Sequence, residues 1–362
     1  MIHGHGGNIF ALANTLGCAI EDIVDMSSNI NPLGAMPGLL AHLQNCLPRI
    51  QSLPEVDAAG TAKSLAQLLN LDPASILPGS GTTQFIYSAC SALGTRKALI
   101  VGPTYADYAD ACRMHGIRPD FFLTLAADDF RLDLEELSAQ LFAYDTLFLC
   151  APNNPTGFLP SLKDLTALCK AHPQVRCIID LSYLPFAEPV LKDSLRSLQA
   201  ENIFILWSAS KIFAIPGLRT GFLLASPEQL GPFRALAQPW SVNTLSQEAM
   251  HYLGKHQKEV EEYGAATRAY IDREMDFLRQ DLPSELTIFP SATSYLLMQL
   301  PAPWQAKDIC RLLQKERILI RDCSNFYGLD ARFIRIALKN NTANVALAKT
   351  LTAILRHQGP LP

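Results

Sequence analysis

The chain has 362 residues, 49% of them hydrophobic, and a formal net charge of −4. That length supports a large core with a second, smaller lobe. Its basic residues are scattered rather than striped, which excludes a nucleic-acid surface, and no apolar run approaches the ~18 residues of a bilayer span.

The start, "MIHGHGGNIF", has neither the basic n-region nor the apolar h-region of a signal peptide, so a cytoplasmic protein is expected. The first ~50 residues carry loop signals ("NINPLG") and one helix, and are read as an N-terminal arm (1–50) joining the small lobe. "PGSGTT" (78–83) opens a helical segment over 82–93. Buried strands are then predicted at "KALIVGP" (97–103), "DTLFLCAP" (145–152), "VRCIID" (175–180), "NIFILWS" (202–208) and "TGFLLA" (220–225). Helical patterns at 105–116, 133–143 and 162–172 lie between them. Alternation of this kind implies an α/β fold: a mostly parallel sheet covered on both faces, with 51–245 as the large domain. Residues 246–281 form one long amphipathic stretch, read as a single bridging helix. Three strand-like runs follow, "TSYLLMQL", "RILIRDC" and "FIRIAL", with the helical "AKDICRLLQKE" among them, so 246–362 is read as the bridge plus a small α+β domain. The nine cysteines show no Cys-x-x-Cys pair and no metal-ligand spacing with histidine. They are read as reduced, buried thiols, and no metal is expected.

In an open α/β sheet, ligands bind beyond the carboxyl ends of the strands. Here those ends carry "NNPTG" after Pro152, Asp180 after "CII", and Ser208, Ser210 and Lys211 after "IFIL". Gly79, Ser80 and Gly81 precede a helix whose free N–H groups suit an anion, although a tight turn into a helix fits the same residues. Asp180 closes a buried strand and needs a partner: an arginine, a metal or a protonated ring nitrogen. Lys211 in a desolvated pocket becomes partly neutral and able to attack a carbonyl. Ser208, Ser210 and Arg219 add phosphate partners. Together these groups describe pyridoxal 5′-phosphate, with Lys211 as its Schiff-base lysine.

"NNPTG", "SASKIFAIPGLRTGF" and the Asp180 strand resemble the class I and II aminotransferases, the fold-type-I pyridoxal-phosphate enzymes with an aspartate-aminotransferase-like, three-layer large domain. "GHGGNI", "SSNINPLG", "FAIPGLR", "QPWSVN" and "ILIRDCSNFYGLDARFIRIAL" are similar to the threonine-phosphate decarboxylase family of cobalamin biosynthesis, itself related to histidinol-phosphate aminotransferases. The resemblance implies Lys211, Asp180 and Tyr183 as catalytic groups. It implies Gly81, Thr82, Ser208, Ser210 and Arg219 on the cofactor phosphate, Asn154 and Tyr183 at the ring hydroxyl, and Tyr105 stacked on the ring. His5, Gly6, Asn31, Asn154, Arg321 and Arg335 are the implied substrate contacts, the substrate a small phosphorylated amino acid, and the assembly a homodimer. Three positions depart from the family pattern: Leu181 replaces an acidic residue, Ser80 an asparagine, and Leu53 a tyrosine that reaches the partner's phosphate site. Decarboxylation and transamination both use this residue set, so the preference for decarboxylation of O-phospho-L-threonine over a histidinol-phosphate-type transamination rests on the family likeness.

Overall fold

A computed structural model describes residues 6–188, 193–195, 198 and 200–357. A short strand, β1 (Val24–Asp25), pairs in parallel with β11 (Ile318–Leu319), joining the N-terminal stretch to the last third of the chain. Between them seven strands form the main sheet: β2 (Ile76–Ser80), β3 (Ala98–Gly102), β4 (Asp120–Leu123), β5 (Thr146–Cys150), β6 (Arg176–Asp180), β7 (Ile203–Ser208) and β8 (Thr220–Leu224). Their order is β2-β8-β7-β6-β5-β3-β4, and β8 alone runs against its neighbours. β5 and β7 are buried along their whole length and apolar between their ends, as a sheet covered on both faces requires. Ile178, Ile179 and Leu206 are buried, each contributing about 1.5–3 kcal/mol of apolar transfer. The five predicted strands are all present.

Two strands of this sheet, β2 and β4, escape the sequence reading. β2 contains Pro78 and Gly79, poor strand formers, and is tolerated because it is an outermost strand. β4 is the opposite edge, only four residues long and exposed at its start. A further correction concerns 246–281, which is two helices, Thr244–Lys255 and Gln257–Asp281. His256 separates them, with φ −114° and ψ 47°, outside the α region.

The strand register explains why chemistry collects at one edge. Cys150 is level with Asp180, Ser208 with Gly221, and Thr220 with Ser80. Because β8 runs in reverse, its first residues meet the last residues of β2 and β7, and β6 ends beside β7 at the same rim. A second, antiparallel sheet follows in the order β12 (Arg321–Asp322), β13 (Phe333–Ala337), β10 (Tyr295–Gln299), β9 (Thr287–Ile288). Among the described residues no helix is long and apolar enough to cross a membrane.

Candidate active site

At that rim lies a cavity of about 310 Å³. Gly6, Gly81, Thr82, Tyr105, Asn154, Asp180, Tyr183, Ser208, Ser210, Lys211, Arg219, Arg321 and Arg335 all line it. They arrive from β6, β7, β13, the helix beginning at Thr82 and the N-terminal stretch, so residues more than 300 positions apart in sequence share one space.

Asp180 is buried at the end of β6. Tyr108 donates its hydroxyl to Oδ2 at 2.8 Å, and the Ser182 N–H donates to Oδ1 at 2.9 Å. Burial pushes the carboxyl pKa up, against the pull of these donors and of the nearby Lys211 charge. Lys211 lies in the short helix Ala209–Ile212, with its backbone carbonyl held by the Asn31 N–H at 3.1 Å. Burial, then the neighbouring Arg335 and Arg219 cations, lower its pKa from 10.5 to about 8. About a tenth of the amine is therefore neutral at pH 7. Tyr183 accepts a hydrogen bond from Asn29 Nδ2 at 3.3 Å, and burial raises its pKa to about 12, so it remains a phenol.

At the other end of the cavity is an anion cradle. Gly81 takes φ +77°, a left-handed conformation open to glycine, and caps the helix Thr82–Leu93. A side chain at Gly81 would reach within 2.7 Å of the Arg219 guanidinium. A side chain at Gly221 on β8 would overlap the Thr82 nitrogen and the Gly81 backbone, so two glycines let strand, loop and arginine close together. Ser208 and Ser210 both reach the Thr220 carbonyl, at 3.3 and 3.2 Å, which fixes their hydroxyls at the same rim.

The third wall is cationic. Arg335 on β13 is buried, donates to Asn154 Oδ1 and to the Ser27 carbonyl (2.7 Å), and packs over the Tyr295 ring. Arg321 on β12 lies directly across the ladder from it, donates to Asn325 at 2.7 Å and covers Phe326.

Not every expected residue reaches the cavity. Asn31 does not line it: its amide is committed to the Ile212 carbonyl and Thr267 Oγ1, at 2.7 and 2.8 Å, bracing the lysine turn from behind. Asn29, two residues earlier, faces the cavity instead. His5 lies outside the described residues. All three departures from the family pattern fall off the lining. Leu181 is fully buried in the core, Ser80 bonds Gln84 through its backbone N–H, and Leu53 is 75% exposed. The sequence reading also missed Tyr108. Its one signal was a tyrosine three residues after Tyr105 on a helix, a spacing that core packing explains equally well.

The donor set fits pyridoxal 5′-phosphate. A glycine-and-arginine cradle, a buried carboxylate and a low-pKa lysine face one space. Around it Asn29 Oδ1 and Arg335 Nε are buried without a hydrogen-bond partner among the described residues, a pattern native interiors avoid unless a ligand completes it. The family model for class I and II aminotransferases matches residues 21–353. A threonine-phosphate decarboxylase of Salmonella typhimurium is 34% identical, over 98% of each chain. A histidinol-phosphate aminotransferase of Methanocaldococcus jannaschii is 26% identical, over 90% of this chain and 88% of its own. The crystal structure of L-threonine-O-3-phosphate decarboxylase from Porphyromonas gingivalis superposes with a TM-score of 0.82 at 28% identity, covering 92% of this chain and 99% of that one. The chain therefore belongs to the class I and II aminotransferase family.

Proposed function

We propose that the protein is a pyridoxal-phosphate-dependent decarboxylase that converts O-phospho-L-threonine to aminopropanol phosphate and CO2, a step of cobalamin biosynthesis. The observation that carries this reading is the cross-strand pair Arg321 and Arg335 on the wall of the cavity that contains Lys211 and Asp180. Two guanidiniums side by side suit a substrate with two anionic ends, a carboxylate and a phosphate. The extensive likeness to threonine-phosphate decarboxylases selects decarboxylation over transamination.

Bound in this site, the cofactor supplies the electron sink that carbanion chemistry at an amino acid α-carbon requires. The chain's own residues prepare that site. Gly81, Thr82, Ser208, Ser210 and Arg219 would hold the cofactor phosphate at the helix start. Asp180, oriented by Tyr108 and the Ser182 N–H, would supply the negative charge that keeps the cofactor's ring nitrogen protonated. Tyr105, Asn154 and Tyr183, which line the same space, would hold the cofactor's ring and its hydroxyl. Lys211, with an amine that titrates near pH 8, would be the residue that holds the cofactor covalently, and its Nζ is placed to carry a proton. Arg335 and Arg321 hold the substrate anions, and Gly6 lets the N-terminal stretch lie close over them: a side chain there would come within 3.2 Å of Arg321 Cδ.

The same reading takes 1–50 as an arm of the small lobe, 51–245 as the large domain and 246–362 as bridge and small domain; β1–β11 pairing supports the first of these. It takes the protein as a cytoplasmic homodimer. Nine free cysteines favour a reducing compartment. Leu47, Ile50, Leu53 and Val56 are exposed in one stretch, and Trp240 joins them through its backbone N–H, which donates to the Val56 carbonyl at 2.9 Å. Sedimentation tests the dimer: Leu53→Asp should sediment as a monomer where the parent does not.

The activity is tested by offering the purified enzyme O-phospho-L-threonine alone, or histidinol phosphate with 2-oxoglutarate. CO2 release with no oxo acid present supports the proposal. Glutamate formed from the second mixture, with no CO2 from the first, replaces it with the aminotransferase reading.

A further inference from the structure

A second cluster of reactive side chains lies outside the active-site cavity. The helix Leu39–Cys46 packs on the helix Thr244–Lys255. His42 and Cys46, four residues apart, share one face of the first helix, and Glu248 meets them from the second. This is a histidine–cysteine spacing that the sequence reading overlooked. His42 Nε2 lies 3.5 Å from Cys46 Sγ, Cys46 Sγ 3.5 Å from Glu248 Oε2, and His42 Nε2 3.6 Å from the same oxygen.

Three ligand atoms are thus placed as a nearly equilateral triangle. Tetrahedral zinc with bonds of ~2.0–2.3 Å needs neighbouring ligand atoms about 3.3–3.8 Å apart, the edge of the tetrahedron. All three separations fall inside that interval. The donor types, imidazole, thiolate and carboxylate, are those zinc takes in proteins. The carboxylate is also oriented: Arg49 holds Oε1, and His251 Nδ1 stands 3.9 Å from it, which leaves Oε2 turned to His42 and Cys46. Beside the triangle a cavity of about 280 Å³, lined in part by His42, Glu248 and His251, gives room for a fourth ligand such as water.

We propose that His42, Cys46 and Glu248 form a zinc site that clamps these two helices together. Zinc enters by replacing the proton of the Cys46 thiol, which leaves to solvent; neutral His42 contributes its Nε2 lone pair and Glu248 its Oε2. No electron transfer is involved. Zn2+ with one thiolate and one carboxylate is neutral, so the Arg49 cation beside Oε1 remains compatible. Because the thiol must lose its proton to bind the metal, affinity increases with pH. The clamp lies behind the cofactor cradle, because Ser246 of the second helix meets Thr220 Oγ1 at 2.8 Å and the Thr220 carbonyl holds both cradle serines.

The test uses the full-chain holoenzyme, stripped with a chelator and titrated with Zn2+ against a chromophoric competitor. One zinc per chain is expected, with close to one proton released per zinc at pH 7 and a raised thermal midpoint. Cys46→Ser and His42→Ala should each weaken binding at least tenfold, and Cys46→Ser should abolish the proton release, while circular dichroism confirms that both remain folded. A parent enzyme that retains no zinc overturns the proposal. So does zinc bound equally well by the Cys46→Ser and His42→Ala variants, which would place the metal elsewhere.

Discussion

Arg321 and Arg335 stand directly opposite one another on antiparallel strands β12 and β13, and both line the active-site cavity. Like charges across a ladder destabilise a sheet. Arg335 is buried besides, with its Nε lacking a partner among the described residues. An anionic substrate removes both costs. Arg321→Leu should therefore raise the thermal midpoint of the ligand-free protein while raising KM for the phosphorylated amino acid about 100-fold, the loss of a charge-assisted bond of roughly 2–3 kcal/mol. Calorimetry and steady-state kinetics on the same preparation check both halves, and an unchanged KM would detach Arg321 from the substrate.

Tyr108 supports Asp180 without lining up as a reacting group. Its hydroxyl donates to the carboxylate at 2.8 Å inside a fully buried setting. Burial already raises the Asp180 pKa, and losing that donor raises it further. Tyr108→Phe should lower kcat about tenfold, by the ~1.5 kcal/mol of a hydrogen bond to a charged group. It should also move the acidic limb of the pH profile upward, because the carboxylate then protonates at higher pH. Asp180→Asn should cost at least about 100-fold, on the scale of losing a preorganised charge. A Tyr108→Phe profile with an unmoved acidic limb would show that the tyrosine only fills space.

Lys211 makes the cofactor-free protein pH-sensitive. Its folded pKa of about 8 lies below the usual 10.5, so between those values the unfolded chain binds more protons. Stability from this group therefore rises with pH across that window, and the penalty is complete below about pH 8. Lys211→Met removes the penalty. At pH 7 the cofactor-free variant should exceed the parent in unfolding free energy by about 1–3 kcal/mol, with the gap narrowing toward pH 10. Denaturant titrations at two pH values are sufficient, and a parallel pair of pH dependences would contradict the buried-cation explanation.

Gly221 and Gly217 provide a matched pair. A methyl group at Gly221 collides with the Thr82 nitrogen and the Gly81 backbone, whereas one at Gly217 meets nothing within 4 Å. Gly221→Ala should push the cradle open, costing about 1–3 kcal/mol of stability and at least tenfold in cofactor affinity. Gly217→Ala should leave both nearly unchanged. Thermal denaturation and cofactor titration followed by absorbance distinguish the two.

What could be read from the sequence follows physical lines. Strands β5 to β8 are continuous apolar runs, and the polar residue ending β6 or β7 announces itself against them, so Asp180, Ser208, Ser210 and Lys211 were legible. β2 was hidden by Pro78 and Gly79, whose meaning depends on an edge position that only the assembled sheet supplies. Tyr108 was hidden because its bond to Asp180 spans 72 residues. Asn31 and Asn29 occupy one short polar run, and which of them faces the cavity is decided by Thr267, 236 residues away. The His42, Cys46 and Glu248 cluster was legible only in part: the four-residue spacing of His42 and Cys46 lies in the sequence, and the third member comes from a helix 202 residues beyond Cys46.

The most direct measurement locates the cofactor on the chain. Holoenzyme is reduced with borohydride, digested and analysed by mass spectrometry for a pyridoxyl-modified lysine. The modification should lie on Lys211 alone and disappear in Lys211→Arg. A label on Lys339, the other lysine whose charge is felt at Lys211, or no label at all, would contradict the site as described.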